Sequence, residues 1–521
     1  MTNHSDHMGN PRTLQEAGEK KKPEAGNISE NGLVVVSNRL PVVLVPEKGR
    51  HWRVKPGSGG LVTALAPVLR NRGGVWIGWP GISEEPGMDL EELLKQGTRD
   101  AGYTFKPVSL TKEEVDGFYY GFANEVLWPL FHDLQTRCNF DPDYWRHYRK
   151  VNRKFAEVIA RNTTAEDYIW VHDYHLMCVA GELRDMGVES KTGYFLHTPF
   201  PPLDLFLKLP WRFQILKALL AYDLIGFQTQ RDRRNFIQCI RKMLRDTPVR
   251  GKGQVLTAAV NHREVRIGNF PISIDYNEFA RKALTRDVSE RSQKILEQLN
   301  TRTVVLGVDR LDYTKGIPER LKAVENALDR YPDLREKISL LQVVVPSRTH
   351  IPKYRDLKLE IEREVSRING RFTQPGWIPI HYIFRSLDRE ELLAFYRAAD
   401  IALITPLKDG MNLIAKEYCA SNVDEQGVII LSEFAGAAAQ MQKSAMLVNP
   451  YDVEQVAEAI YAAYRLDPKE KKRRMHALRR DILKRDIYWW VDSFIKVVFS
   501  RELKTFPPLA DYIPTTMMDT T

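Results

Sequence analysis

Residues 401–417 read Ile-Ala-Leu-Ile-Thr-Pro-Leu-Lys-Asp-Gly-Met-Asn-Leu-Ile-Ala-Lys-Glu, and the change of character along them decides the fold. Ile401 to Leu407 is an apolar run of the length of a buried strand. A turn with Asp409 and Gly410 follows, and Asn412 to Ala420 has helical composition without a breaker. Strand, turn and helix N-terminus in that order leave free backbone N–H groups aimed at an anion or at sugar hydroxyls. Glu417 lies four residues after Leu413 and eight after Asp409, so its carboxylate shares a helix face with the turn. There it can accept two hydroxyls of a ribose or a sugar. An ordinary αβ connection with Glu417 as a solvated charge has the same local pattern, so the rest of the chain must decide.

The same transition recurs in both directions from this stretch. Leu33 to Ser37 runs into Asn38-Arg39-Leu40-Pro41, Tyr168 to Val171 into His172-Asp173-Tyr174-His175, and Gly193 to Leu196 into His197-Thr198-Pro199. Further on, Thr303 to Val308 leads to Asp309 through Gly316, Ile338 to Val345 to Pro346-Ser347-Arg348, and Val428 to Leu431 to Ser432 through Gly436. Stretches long enough for crossover helices separate these runs. Continuous apolar runs alternating with helices indicate parallel sheets covered on both faces. Ligands of such sheets bind beyond the carboxyl ends of the strands, where the polar and Gly residues collect here. The expectation is an α/β protein of two parallel sheets, each covered by helices, facing across a cleft. The division is placed after Asn269-Phe270-Pro271-Ile272, giving domains over 32–271 and 272–480. A polar leader, 1–31, reads as disordered, and 506–521 as a flexible tail. The stretch Ile487 to Phe499 is apolar at roughly helical spacing.

Composition narrows the function. At 521 residues, with 43% hydrophobic and 27% charged residues, the chain is an ordinary globular protein too long for one core. No apolar run approaches the roughly 20 residues that span a membrane, and the leader has no signal-peptide core. Four scattered cysteines without Cys-x-x-Cys pairing argue against a disulfide framework or zinc site and fit the cytoplasm. Part of the net charge of +9 sits in Lys469 to Arg485, which lacks interleaved aromatics and reads as a solvated helix face rather than a nucleic-acid surface. Positive charge also suits polyanionic phosphate substrates.

Arg310 and Lys315 stand five residues apart on one loop and can neutralise a diphosphate, which matters most as it leaves. Arg39 and Arg348 follow strands in opposite halves and can together hold a monophosphate-bearing second substrate. Tyr119 and Trp128 can stack on a sugar or bind through O–H and N–H, although aromatics at this density also build cores. Gly59 and Gly60 precede a helix-like stretch and can admit a phosphate to the backbone, but match neither a P-loop nor a dinucleotide fingerprint. The histidines around Asp173 lack metal-site spacing and are read as hydrogen-bonding groups.

In order along the chain stand SNRLPV, VLWPLFH, WVHDYHL, FLHTPFP, RLDYTKG, INGRF, TPLKDGMNLIAKEY, LSEFAGAA and NPYD. With these, Leu33 to Phe499 closely resembles glycosyltransferase family 20, the trehalose-6-phosphate synthases. The resemblance implies the α/β GT-B fold of two Rossmann-like domains, with 481–505 as a helix crossing back to the first domain. It implies transfer of glucose from UDP-glucose, or another nucleotide diphosphate glucose, to glucose 6-phosphate with retention. It implies no cofactor and no catalytic metal. Arg310 and Lys315 resemble the diphosphate clamp, Glu417 the ribose acceptor, and Gly59 and Gly60 the loop near the donor phosphates. His197, Asp409 and the backbone of Gly410, Met411, Asn412 and Leu413 resemble the donor-glucose site. Asp173 resembles the acidic residue beside the reacting sugars. Arg39, Tyr119, Trp128 and Arg348, with Trp79 nearby, resemble the acceptor site. Relatives often form dimers or tetramers, and trehalose itself would require a separate phosphatase. Donor nucleotide stays open. Glucosylglycerol-phosphate synthase, a pseudo-glycosyltransferase and a non-catalytic regulatory chain share the frame.

Overall fold

The computed structural model describes residues 32–46, 52–57, 60–84, 89–299, 301–348 and 351–500, with 503, 506, 509, 511, 512 and 514. The leader 1–31 and the last seven residues of the tail lie outside the described residues.

The strands of the first half are β1 (Leu33–Arg39), β2 (Val42–Pro46), β3 (Trp52–Pro56), β4 (Val75–Trp79), β5 (Thr104–Pro107), β6 (Tyr168–His172), β7 (Lys191–Leu196), β8 (Leu224–Phe227), β9 (Val249–Arg250), β10 (Val255–Val260) and β11 (Arg263–Asn269). All but β2 and β3, which pair as a separate ribbon, form a nine-stranded sheet in the order β5-β4-β1-β6-β7-β8-β11-β10-β9. It is parallel from β5 through β11, and β10 and β9 close it antiparallel. The second half supplies β12 (Thr303–Arg310), β13 (Ile338–Val345), β14 (Ile380–Phe384), β15 (Ile401–Ile404), β16 (Val428–Ser432) and β17 (Met446–Val448). These make a wholly parallel six-stranded sheet ordered β14-β13-β12-β15-β16-β17. Renumbered within the domain, that order is 3-2-1-4-5-6, the doubly wound arrangement.

In both sheets the direction of winding reverses beside the first strand. The gaps between β1 and β6 and between β12 and β15 are therefore the crevices where such sheets take ligands. Arg39 ends β1 and Asp173 follows β6, while Arg310 ends β12 and Asp409 follows β15. The topology thus gathers the sequence candidates at two crevices. The apolar run at 401 proves shorter as a strand, Ile401–Ile404, because Pro406 lacks the N–H a ladder needs and biases its predecessor away from helix.

The helix Ile487–Phe499 packs on the first sheet. Trp490 Nε1 donates to the Phe270 carbonyl at 2.9 Å, and Arg266 holds the carbonyls of Val497 and Val498. Phe494 stacks on Trp170 with ring centroids 4.5 Å apart. Its seat is made by two strand glycines: a Cβ on Gly226 would meet the Phe494 ring at 2.5 Å and one on Gly193 at 3.0 Å. The described tail residues also grip both halves, since Asp511 pairs with Arg234 and Tyr512 donates to Glu433 at 2.7 Å.

Candidate active site

A helix that sequence periodicity does not reveal shapes one wall of the cleft. Val115–Leu127 is wound as a π-helix of 13 residues, whose wider turn is rare and concentrates at functional sites. Gly117 and Gly121 let it lie against the rings of His147 and Tyr144, where added Cβ atoms would come within 2.4 and 2.5 Å. The paired glycines in GFYYG are the one sequence signal that pointed to such close packing. The helix presents Tyr119, which stacks on His175 at 5.9 Å between centroids and meets Trp79 at 5.6 Å. Burial pushes the Tyr119 phenol up, yet Arg348 and Arg39 outweigh it and draw it below its ordinary value. Both arginines therefore act on one phenol.

Arg39 reaches this place through an irregularity. The register between β1 and β4 shifts between Val36 and Arg39, and the Arg39 guanidinium lies 4.6 Å over the Trp79 ring. Trp79 is buried and donates Nε1 to the Ile82 carbonyl at 2.7 Å, so it supports Arg39 from below. Gly81 leaves the space that the guanidinium fills.

From the other half come Arg310 and Arg348. They flank the Trp128 ring at 5.9 and 4.7 Å, and Asp312 lies 3.9 and 3.8 Å from them. Trp128 Nε1 has no hydrogen-bond partner among the described residues. Arg348 has φ of 50°, is 7% exposed, and donates to the Tyr354 hydroxyl at 2.6 Å. Asp312 and Tyr354 did not stand out in the sequence. Asp312 sat inside a motif read for its cations, and Tyr354 lies on a helix whose placement only folding decides.

Lys315 donates to Asp409 at 2.6 Å, with both side chains nearly buried. Burial pushes the Asp409 carboxyl up, but Lys315 and the N–H of Met411 more than compensate and hold it below its ordinary value. Asn412 takes a left-handed φ of 59° and caps Leu413–Ser421 by accepting from Ala415 N–H at 3.2 Å. Gly410 is where the halves touch: a Cβ there would lie 2.0 Å from the His197 carbonyl oxygen. His197 Nδ1 sits 3.1 Å from Met411 Sδ and its Nε2 3.0 Å from His172 Nδ1. Burial pushes the His197 imidazole down to about 3, so it is neutral at physiological pH.

Asp173 combines strain with an altered charge. Its φ of 73° and ψ of 168° lie in a region that side chains rarely occupy, at a cost of about 1–3 kcal/mol. Its carboxylate accepts from His197 N–H at 3.3 Å. Burial pushes its pKa up to about 6, against the pull of backbone N–H groups and Arg310. Glu417 is buried in its helix and accepts from the Tyr396 hydroxyl at 2.9 Å. Gly60 opens the helix Gly60–Arg72 and abuts Leu413 and Met411, with a Cβ there 3.1 Å from Leu413 Cδ1. Gly59 lies outside the described residues. No cluster of three or more metal-ligating side chains occurs among the described residues.

Two doubly wound sheets that meet across a cleft with cations on both lips define the GT-B class, and comparison with known proteins narrows it. Residues 31–499 match the model of glycosyltransferase family 20, and the chain belongs to that family. The trehalose-6-phosphate synthase of Mycolicibacterium gilvum is 43% identical over 486 residues, covering 92% of this chain and 96% of its own. That of Mycobacterium leprae is 42% identical over 476 residues, covering 90% and 95%. A UDP-forming α,α-trehalose-phosphate synthase from Burkholderia xenovorans, solved with glucose 6-phosphate, superposes with a TM-score of 0.82 at 33% identity, covering 90% of this chain and all of that one. The Escherichia coli protein bound to UDP-2-fluoro glucose gives 0.80 at 36% identity, with 90% and 99% coverage.

Proposed function

We propose that this chain transfers glucose from UDP-glucose to glucose 6-phosphate, forming α,α-trehalose 6-phosphate and UDP with retention at the anomeric carbon. The observation that carries the reading is the charge array: Arg310 and Arg348 at Trp128, Arg39 and Arg348 on opposite lips at Tyr119, and Lys315 beside Asp409. One anionic group fits each end, and a donor diphosphate and an acceptor phosphate are what relatives of this similarity are built to take.

In this reading Arg310 and Lys315 hold the donor diphosphate, and Asp409, the backbone of Gly410 to Leu413, and His197 hold the glucose. Glu417 accepts the ribose hydroxyls, and Gly60, with Gly59, lets the backbone approach the phosphates. Arg39 and Arg348 grip the acceptor phosphate, Trp79 props Arg39, and Tyr119 and Trp128 frame the acceptor sugar. The bond from the anomeric carbon to the diphosphate oxygen breaks as the acceptor hydroxyl bonds on the same face. The hydroxyl proton passes to the departing diphosphate oxygen. Asp173 orients that hydroxyl. No nucleophile is needed, so catalysis comes from positioning and from stabilising the departing charge. The reaction needs neither cofactor nor metal.

The same reading places the domain division at Pro271/Ile272 and the return to the first domain after residue 480. It makes the protein a cytoplasmic homo-oligomer with a separate phosphatase downstream. Four free cysteines support the compartment, and no helix among the described residues is long and apolar enough to cross a membrane. The test is incubation with glucose 6-phosphate and UDP-, ADP- or GDP-glucose, identifying the sugar product. Trehalose 6-phosphate from UDP-glucose is expected. Turnover only with glycerol 3-phosphate as acceptor, or donor binding without turnover, overturns the assignment.

A further inference from the structure

A cavity of about 220 Å³ lies outside the substrate cleft, and no residue placed in that cleft lines it. It forms where the end of β11, the helix Leu413–Ser421, the segment after Gly436 and the helix Pro468–Lys484 meet. Its charged lining residues are four cations, Lys416, Lys443, Lys484 and Arg485, and one carboxylate, Asp481.

Lys416 is 2% exposed and sits next to Glu417 on the same helix. Of its three N–H donors, one goes to the Ile272 carbonyl at 2.6 Å and one to Gln440 Oε1 at 2.7 Å, which leaves one. Burial pushes its ammonium down to about 7, and the charge that adds to this is a further cation, Arg485. Gln228 and Asn269 also line the cavity and are each 2% exposed. Gln228 Nε2 and Asn269 Oδ1 have no hydrogen-bond partner among the described residues. Interiors leave few polar atoms in this state, and a buried ammonium among like charges is costly. An oxyanion offsets the buried charge and accepts from Gln228 Nε2, whereas Asn269 Oδ1, itself an acceptor, is satisfied only by an occupant that carries an O–H.

We propose that this cavity is a binding site for a small oxyanion of the phosphate or carboxylate class, separate from the substrate cleft. The occupant touches both sides of the domain junction, with Gln228 and Asn269 from the first sheet and Lys416 from the helix that carries Glu417. Occupancy therefore bears on how that helix sits against the linker at Ile272. The inference does not depend on which sugar the cleft transfers.

The test is calorimetric titration of the full-length protein with inorganic phosphate and, separately, acetate, in an Arg310→Ala/Arg348→Ala background that removes one arginine from each of the cleft's two cation pairs. One anion site is expected to survive there, and adding Lys484→Glu/Arg485→Glu is expected to weaken it by about tenfold or more. Lys443→Glu, at an exposed position, provides an independent variant and is expected to weaken binding too. Binding of phosphate alone assigns the phosphate class, and binding of acetate alone the carboxylate class. In the otherwise unaltered enzyme, the same charge reversals should leave turnover at saturating substrate unchanged. Loss of all anion binding in the Arg310→Ala/Arg348→Ala background overturns the proposal, as does full affinity after the charge reversals.

Discussion

Asp312 Oδ2 lies 3.9 Å from Arg310 and 3.8 Å from Arg348, so one buried carboxylate ties the loop after β12 to the loop after β13. Burial pushes its pKa up, but Arg348, Arg310 and Lys315 together hold it below the ordinary carboxylate value. Its stabilising contribution is thus complete above the unfolded value of about 3.9 and is lost as pH falls through the lower folded one. Asp312→Asn should lower kcat/KM for both substrates by about tenfold or more, since it frees both cations. Its cost in Tm should be equal at pH 7 and pH 5 and shrink only in stronger acid. A change confined to one substrate's KM would contradict the shared role.

Asp173 opposes stability on two counts. It occupies a strained backbone region, and burial raises its pKa to about 6. A carboxyl so raised costs nothing below the unfolded value of about 3.9, and the cost grows to its full size as pH rises through the folded value. Asp173→Gly should therefore raise Tm at pH 8 more than at pH 4 while sharply reducing turnover. In the wild type, turnover should fall on the acid side with an inflection near pH 6. A profile flat from pH 5 to 8 would refute the need for the ionised form.

Lys315 and Arg310 separate stability from catalysis. Arg310 is half-exposed, so Arg310→Ala should leave Tm near the wild type while kcat drops by about 10²–10³, the usual effect of removing a transition-state charge partner. Lys315→Met leaves Asp409 buried without its cation, which costs about 3–5 kcal/mol. The double variant Lys315→Met/Asp409→Asn should regain much of that stability and none of the activity. Thermal melts beside steady-state rates check both.

Arg348→Ala should chiefly raise the KM for glucose 6-phosphate, whereas Arg310→Ala acts on kcat. Saturation at the wild-type acceptor concentration would remove Arg348 from the acceptor site.

Gly410→Ala tests the junction of the halves. The added methyl would stand 2.0 Å from the His197 carbonyl oxygen, so the two loops must separate. Donor affinity should fall severely while far-ultraviolet circular dichroism stays native. Unaltered donor KM would show that the contact is dispensable.

Much of this was legible in the chain itself. Apolar runs ending in polar and Gly-bearing loops specify parallel sheets because strands buried on both faces must be apolar throughout and must reach their ligands at the ends. Hence Arg310, Lys315, Asp409 and Glu417 could be singled out as neighbours of strand ends, and the motifs around them pointed to the family. The helix Ile487–Phe499 was legible from its apolar spacing and its return from the family resemblance, but not its seat on Gly193 and Gly226. Those strand glycines have meaning only once Phe494 is above them.

Tertiary structure alone decided the rest, because it depends on contacts between residues far apart in sequence. The register shift before Arg39, the π-helix that offers Tyr119, and the placement of Tyr354 under Arg348 follow no local period. The pKa values of Asp173, His197 and Lys416 follow from burial, which no stretch of sequence fixes by itself. The sequence determined which elements form and where their ends carry chemistry. Packing decided which of those ends meet, what charge they bear there, and that a buried lysine stands at the junction between the two sheets.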